Sequence, residues 1–218
     1  MNPKYHIIRN FPKKGGLFPR LWGNIEFFVA TTPISFRKNL LSVEDYKLSR
    51  SLLKKGDVVL VGAFRRLSRF FIRGVVTHAS LYCGRGYLVH SVPDGVEKAK
   101  YSELFDHYDT LVILRPKVSS LERNSVISKA VKFAEAQLGK PFNFRFSKSH
   151  NHKEFFCSQL VNDAFLSAGF NTLLENNRSF SNTLRPKDFL SSPMFKKVFV
   201  SESLKSRQGV YGQGKSKV

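Results

Sequence analysis

Residues 155–168 read Phe-Phe-Cys-Ser-Gln-Leu-Val-Asn-Asp-Ala-Phe-Leu-Ser-Ala and are followed by Gly169. The apolar side chains recur at i, i+3 and i+4, a spacing typical of one face of an amphipathic helix: Cys157, Leu160, Val161, Ala164, Phe165 and Ala168. Glycine commonly follows the last residue of a helix, so Gly169 marks its end. The pattern predicts a helix with Cys157 in its first turn.

Cys157 is a candidate nucleophile because of this position. The first turn of a helix has unpaired backbone N–H groups and the positive end of the helix dipole, and both favour an anion. The position is therefore expected to lower the pKa of the thiol and to supply thiolate at neutral pH. The alternative is a structural cysteine, since Cys157 also lies on the apolar face and free cysteine is commonly buried.

A candidate base for this thiol lies on a predicted hairpin further upstream. Residues 77–83 and 87–91 are predicted strands, and Gly84-Arg85-Gly86 between them is a hairpin signal. His78 begins the first strand, where an imidazole can accept a thiol proton and later protonate a leaving group. Pairing around the turn brings His90 close to His78, and a second ring there can orient the first and fix its tautomer. Each histidine, taken alone, also fits an ordinary strand or loop residue.

The other elements predict an α+β domain with an antiparallel sheet packed against helices. Residues 57–62 and 109–115 are apolar runs typical of buried strands, and residues 197–201 are a candidate last strand. Residues 121–138 form a predicted helix ended by Gly139, and residues 42–51 form a short one capped by Ser42 and Asp45. We predict a basic, aromatic extension over residues 1–50, one domain over residues 51–200 and a flexible basic tail over residues 201–218.

Composition limits the classes of partner and of compartment. The 218 residues contain 36 Lys and Arg against 16 Asp and Glu, a net charge of +20 that predicts attraction to polyanions such as an anionic membrane surface or cell-wall polymer. Nucleic acid is disfavoured, because no known nucleic-acid-binding motif accompanies the charge. Two cysteines cannot build a disulfide framework, and no metal site or cofactor motif is evident. Without a signal peptide or a long apolar run, we expect a cytoplasmic protein, with association to membrane or cell wall as the alternative.

Two further segments contain residues that could contact a membrane or a metal ion. Over residues 64–73, Phe64, Leu67, Phe70 and Phe71 recur at helical spacing with the arginines on the other face, which predicts a helix packing its aromatic face on the sheet rather than an amphipathic membrane-surface helix. His150 and His152 lie near Cys157 in a polar loop, which is thin support for a metal site.

Five short motifs follow one another along the chain in the order found in a known protein group. They are Gly56-Asp57-Val58-Val59, Thr77-His78-Ala79-Ser80-Leu81-Tyr82, Gly86-Tyr87-Leu88-Val89-His90, Leu138-Gly139-Lys140-Pro141-Phe142-Asn143 and Phe155-Phe156-Cys157-Ser158-Gln159-Leu160-Val161. Residues 52–200 resemble the permuted NlpC/P60 papain-like group, in particular its YiiX/YebB-like and lecithin–retinol-acyltransferase-like branches. Residues 185–189, Arg-Pro-Lys-Asp-Phe, resemble a further segment of that group that follows the cysteine helix.

The resemblance implies a circularly permuted papain-like fold with Cys157 as nucleophile, His78 as general base and His90 as the orienting third residue. YiiX-like members usually carry glutamate at the position of His90, whereas the acyltransferase-like branch carries histidine. The implied function is a thiol hydrolase or acyltransferase that acts on cell-wall peptide amides or on acyl lipids through an acyl-enzyme. The alternatives are a non-catalytic lipid- or cell-wall-binding module of the same fold and, more remotely, a basic nucleic-acid-binding protein.

Overall fold

The structure is a computed structural model that describes residues 24–25, 41–63, 75–146, 152–174 and 183–205. Its strands are β1 (Val58–Gly62), β2 (His78–Gly84), β3 (Tyr87–Val92), β4 (Gly95–Lys100), β5 (Thr110–Pro116) and β6 (Phe195–Val200). They form one six-stranded sheet in the order β4-β3-β2-β1-β5-β6, and every neighbouring pair is antiparallel. The predicted antiparallel sheet is confirmed, while the helix predicted over residues 64–73 lies outside the described residues.

Central strand β1 pairs with β2 on one side and with β5 on the other, and all five of its residues are buried. A strand covered on both faces needs apolar side chains throughout, which explains its unbroken Val-Val-Leu-Val run. At the opposite extreme, β4 is an edge strand with an alternating and charged sequence. It was not predicted, because Glu97, Lys98 and Lys100 suit a solvated edge and disguise strand propensity.

The helices are α1 (Val43–Leu52), α2 (Leu104–His107), α3 (Arg123–Glu135), α4 (Cys157–Ser167) and α5 (Asp188–Ser191). The predicted cap of α1 is confirmed: the Ser42 hydroxyl accepts from the Asp45 N–H at 3.0 Å, and the Ser42 N–H donates back to the Asp45 carboxylate at 3.1 Å. The helix predicted over residues 155–168 is confirmed as α4, which begins at Cys157 itself.

Each face of the sheet has its own apolar core. One core joins the sheet to α3 and α4, with Phe155, Leu160 and Phe165 fully buried. The other lies under α1 and includes Tyr101, whose hydroxyl donates to Ser49. Residues 41–53 and 201–204 add buried side chains on either side of the predicted domain. The described part of the chain contains no helix that is long and apolar enough to cross a membrane.

Candidate active site

Cys157 is the first residue of α4. The preceding Phe156 is extended, with φ −97° and ψ 163°, and its side chain makes no capping hydrogen bond. The helix therefore begins at the cysteine, and the unpaired N–H groups of its first turn lie at the same end of the helix as the thiol. Cys157 is 8% exposed, which places the sulfur in an environment nearly without water.

Burial reverses the expected direction of the thiol pKa. Desolvation raises the pKa of the Cys157 thiol, because the low-dielectric surroundings disfavour the thiolate. Hydrogen bonds from the Ala79 N–H and from Ser158 oppose that rise, as do the N–H groups of the first turn. The lowered pKa expected from the helix start alone is thus wrong for the resting site. The thiol keeps its proton until a base removes it.

His78 and His90 are brought together as the hairpin predicted. Residue 90 pairs with Ser80, so His78 is the diagonal neighbour of His90 across the two strands. The distance from His78 Nε2 to His90 Nδ1 is 3.0 Å, a hydrogen bond between two rings that are 9% and 3% exposed. One ring donates and the other accepts, so the pair fixes each other's tautomer. The Tyr108 ring stacks on His78 at 6.1 Å and limits its rotation.

Glu97 extends this pair and was missed in the sequence. It lies directly opposite His90 across β3 and β4, and its Oε1 is 3.4 Å from His90 Nε2. The Pro93-Asp94-Gly95 turn is the signal that would have found it, because a hairpin centred there pairs residue 90 with residue 97. The carboxylate favours a proton on His90 Nε2, which leaves His90 Nδ1 as an acceptor for His78.

Gly62 allows Val75 and Thr110 to pack closely against the end of β1. A Cβ at this position would lie 2.3 Å from the Val75 carbonyl oxygen and 2.6 Å from Thr110 Oγ1, distances that no side chain tolerates. The close approach allows the Thr77 N–H to donate to the Val61 carbonyl at 2.8 Å. Residue 77 is thereby fixed on β1, and the first residue of β2 takes a defined position.

The motif at residues 138–143 positions the nucleophile from the other side. The Gly139 N–H donates to the Val96 carbonyl on β4, and the Val96 N–H donates to the Lys140 carbonyl, each at 2.8 Å. Phe155, two residues before the cysteine, pairs with Pro141 and Asn143 through its N–H and carbonyl groups. The Phe155 carbonyl also accepts from the buried Ser91 hydroxyl at 2.6 Å. These bonds tie the start of α4 to β3 and β4, the strands that carry His90 and Glu97.

The structure therefore gathers all three predicted site residues at β2 and its neighbours. The N–H of Ala79, the residue after His78, lowers the pKa of the Cys157 thiol, and a chain of polar contacts runs from His78 through His90 to Glu97. His150 lies outside the described residues, and His152 pairs with Asp163 at 3.5 Å. Within the described ranges, no three His, Cys, Asp or Glu side chains are arranged to hold a metal ion.

Comparison with known proteins agrees with this architecture. The model of the Peptidase_C92 family, described as permuted papain-like amidase enzymes of the YaeF/YiiX, C92 family, matches residues 52–199. Among solved structures, the metalloprotein yiiX from Escherichia coli O157:H7 is similar in fold, with a TM-score of 0.52 and 19% identity over 67% of this chain and 96% of that chain. No curated protein sequence matches the chain. The resemblance predicted for the YiiX-like branch is confirmed, and with it the permuted papain-like α+β fold. The chain therefore belongs to the permuted papain-like amidases of the YaeF/YiiX family, a family of cysteine hydrolases that act on amide bonds.

Proposed function

We propose that this chain hydrolyses amide bonds through a Cys157–His78–His90 site, with Glu97 behind it. The observation that carries the proposal is that Cys157 begins a helix that packs against β2, where the N–H of Ala79, next to His78, lowers the pKa of the thiol. Since the Nε2 of His78 faces His90, its Nδ1 is the ring nitrogen that we assign to the thiol. The two nitrogens of one imidazole then have separate tasks, proton transfer and orientation.

The reaction follows the acyl-enzyme route. As the sulfur attacks the carbonyl carbon, His78 takes the thiol proton, and the raised thiol pKa makes this transfer necessary. His78 then gives the proton to the leaving amine, the C–N bond breaks and a thioester remains on Cys157. Water attacks the thioester with His78 again as base, which releases the acid and restores the thiol.

Charge on the carbonyl oxygen develops next to the start of α4. The Cys157 N–H is the donor that we assign to this oxyanion, because first-turn N–H groups have no partner within the helix. The helix dipole favours the same negative charge.

The reaction that we propose uses only the thiol and the imidazoles. The solved yiiX protein is described as a metalloprotein. In the described part of this chain, the candidate ligands do not form a metal-binding group. We therefore assign no step to a metal ion.

Two classes of substrate fit this reaction, the peptide amides of the cell wall and acyl lipids. Acyl lipids are the second candidate, and a cluster of aromatic rings favours them. Phe144 and Phe146 are 39% and 41% exposed, and the Phe146 ring lies 5.8 Å from that of Phe156, the neighbour of the nucleophile. Exposed aromatic side chains beside a nucleophile suit an apolar chain. For such a substrate, transfer of the acyl group to an acceptor other than water completes the same cycle.

Replacement of the nucleophile tests the proposed function. Cys157→Ala is expected to abolish release of amine from a panel of peptide amides and N-acyl amides, while Cys83→Ala keeps it. Mass spectrometry of the intact protein should show a thioester adduct on the wild type during turnover and none on Cys157→Ala. Amine release by Cys157→Ala at the wild-type rate would refute the assignment. A higher rate for long than for short acyl chains, lost in Phe146→Ser, would select acyl lipids over peptides.

A further inference from the structure

A cavity of about 220 Å³ lies between the residues that precede β1 and the start of α3. It is lined by Lys54, Lys55, Arg123, Asn124, Ile127 and Ser128. Three of these six side chains are cations, two are neutral hydrogen-bonding groups and none is acidic. The volume is below the roughly 300–1,000 Å³ of sites for drug-sized molecules, so it suits one small charged group.

The three cations of this basic cavity are not neutralised by the residues that the structure describes. Neither Lys54 nor Lys55 nor Arg123 takes part in any ion pair there. Of the carboxylates close in sequence, that of Asp57 accepts from the Lys54 main-chain N–H at 2.7 Å but is paired with an arginine outside the cavity. Asp57 is held by Arg115 at 2.7 Å, and Glu122 accepts from Ser119 Oγ at 2.8 Å. The positive charge is therefore concentrated at this cavity, beyond what the net charge of +20 spread over the chain would give.

The start of α3 adds to the same field. Arg123 is its first residue, its first turn contains no acid, and its N-cap residue makes no side-chain capping bond. Acidic side chains are normally favoured at this end because they offset the helix dipole. Here the N-cap residue Glu122 accepts from Ser119, and the first turn itself begins with Arg123 and Asn124, so an anion in the cavity would meet both the dipole and these side chains.

Arg123, which lines the cavity, has one buried guanidinium nitrogen. Arg123 Nη2 is inaccessible to water and has no hydrogen-bond partner among the described residues. A buried donor without a partner lowers stability, so such a group is normally satisfied by a protein atom, water or a ligand. Together with the two lysines, the arginine supplies N–H donors of the kind that match the oxygens of a phosphate.

We propose that the basic cavity binds a phosphate group, either free or as part of a lipid headgroup. The site is separate from the proposed hydrolase site. Lys55 lies beside Gly84, where an added Cβ would be 3.9 Å from the lysine Cβ, and Gly84 ends the strand that His78 begins. A seven-residue strand puts about 20 Å between its ends. A phosphate bound in the basic cavity therefore does not contact the Cys157 thiol, and a bound lipid headgroup would hold the chain at the lipid surface.

The test measures binding to the full chain with inorganic phosphate and with vesicles. Phosphate is titrated while the backbone amides of residues 123–128 are followed by NMR. Cosedimentation uses vesicles of phosphatidylcholine with and without phosphatidic acid. Arg123→Gln is expected to weaken binding by about tenfold or more, since it removes a charged donor. The matched control is Lys129→Gln, which removes the same charge from an exposed position on the same helix outside the cavity.

Both ligand sources would support the site, and the two arms separate them. Saturable shifts at residues 123–128 with phosphate indicate a free phosphate ligand. Binding to phosphatidic acid vesicles alone, lost in Arg123→Gln, indicates a headgroup. Equal weakening by Arg123→Gln and Lys129→Gln would overturn the proposal in favour of net charge, as would the absence of binding in both arms. The melting temperature of Arg123→Gln should be unchanged or higher, because a buried donor without a partner is removed, and phosphate should raise the melting temperature of the wild type only.

Discussion

The two cysteines of this chain have the same direction of pKa shift and very different surroundings. Burial raises the pKa of both thiols, that of Cys83 to about 12. Cys157 lies at the start of a helix, near the residue that follows His78. Cys83 has charged neighbours, Lys98, Lys55 and Glu135. Its thiol donates a hydrogen bond to the Leu81 carbonyl at 3.5 Å. The chain therefore allows a direct comparison between the thiol that we propose as nucleophile and a second buried thiol.

Alkylation distinguishes them. At neutral pH, iodoacetamide should label Cys157 faster than Cys83, although Cys83 is the more exposed of the two. In His78→Ala the labelling of Cys157 should slow by about a hundredfold or more, because the base is lost. Its rate should then rise only above the free-thiol pKa of about 8.5, since burial without a base favours the protonated thiol. The measurement is peptide mass spectrometry over a pH series, and faster labelling of Cys83 would contradict the proposal.

The orienting residues predict a graded loss of rate. His90→Ala should lower kcat by about tenfold to a hundredfold with little change in KM, because the His78 ring loses the partner 3.0 Å from its Nε2. Glu97→Gln should lower kcat less, since an amide still contacts His90 but without charge. Steady-state kinetics on one amide substrate check both, with the exposed Glu44→Gln as the control. An unchanged kcat in His90→Ala would remove it from the site.

At the scale of elements, a buried ion pair holds α1 and two strands together. Asp57, fully buried before β1, accepts from Arg115 Nε at 2.8 Å and from Arg115 Nη2 at 2.7 Å. The same Nη2 donates to the Leu52 carbonyl at the end of α1, at 2.6 Å. The arginine of β5 thus satisfies the carboxylate before β1 and the end of a helix on one face of the sheet.

Breaking this pair should destabilise the fold strongly. Arg115→Leu leaves the Asp57 charge buried and unpaired, which costs about 3–5 kcal/mol of the free energy of unfolding. Urea denaturation measures it, and the exposed Lys117→Leu serves as a control that should change stability by less than about 0.5 kcal/mol. Adding Asp57→Asn to Arg115→Leu should recover part of the loss. A small loss in Arg115→Leu would show that the carboxylate finds water.

Sequence patterns predicted the elements whose local signal agrees with their packing. The Gly84-Arg85-Gly86 turn was enough to place His78 near His90, because a hairpin fixes register over a few residues. Strand β4 and Glu97 were not predicted, since a charged edge strand lacks the continuous apolar face from which a two-residue repeat can be recognised. The thiol pKa was predicted with the wrong sign because the helix start is a local feature, whereas burial depends on packing by the whole chain.

For the whole molecule, stability should fall at alkaline pH. Burial raises the pKa of Tyr101 as well as that of Cys83, so the folded chain keeps protons that the unfolded chain releases. The stabilisation by Cys83 is complete below the free-thiol pKa of about 8.5 and is lost as pH rises towards the folded-state pKa of about 12. The difference in the free energy of unfolding between wild type and Cys83→Ala should therefore narrow over this range. A constant difference in urea denaturation at each pH would contradict the assignment.

The order of the strands has a consequence for biosynthesis. Five of the six described strands, β1 to β5, precede Cys157 in the chain, and each pairs with a strand on the same side of it. A ribosome therefore releases the histidine hairpin and most of the sheet before it adds the cysteine. The histidines can therefore already be in place when the Cys157 thiol is added. The last described strand, β6, then pairs with β5 at the opposite edge of the sheet.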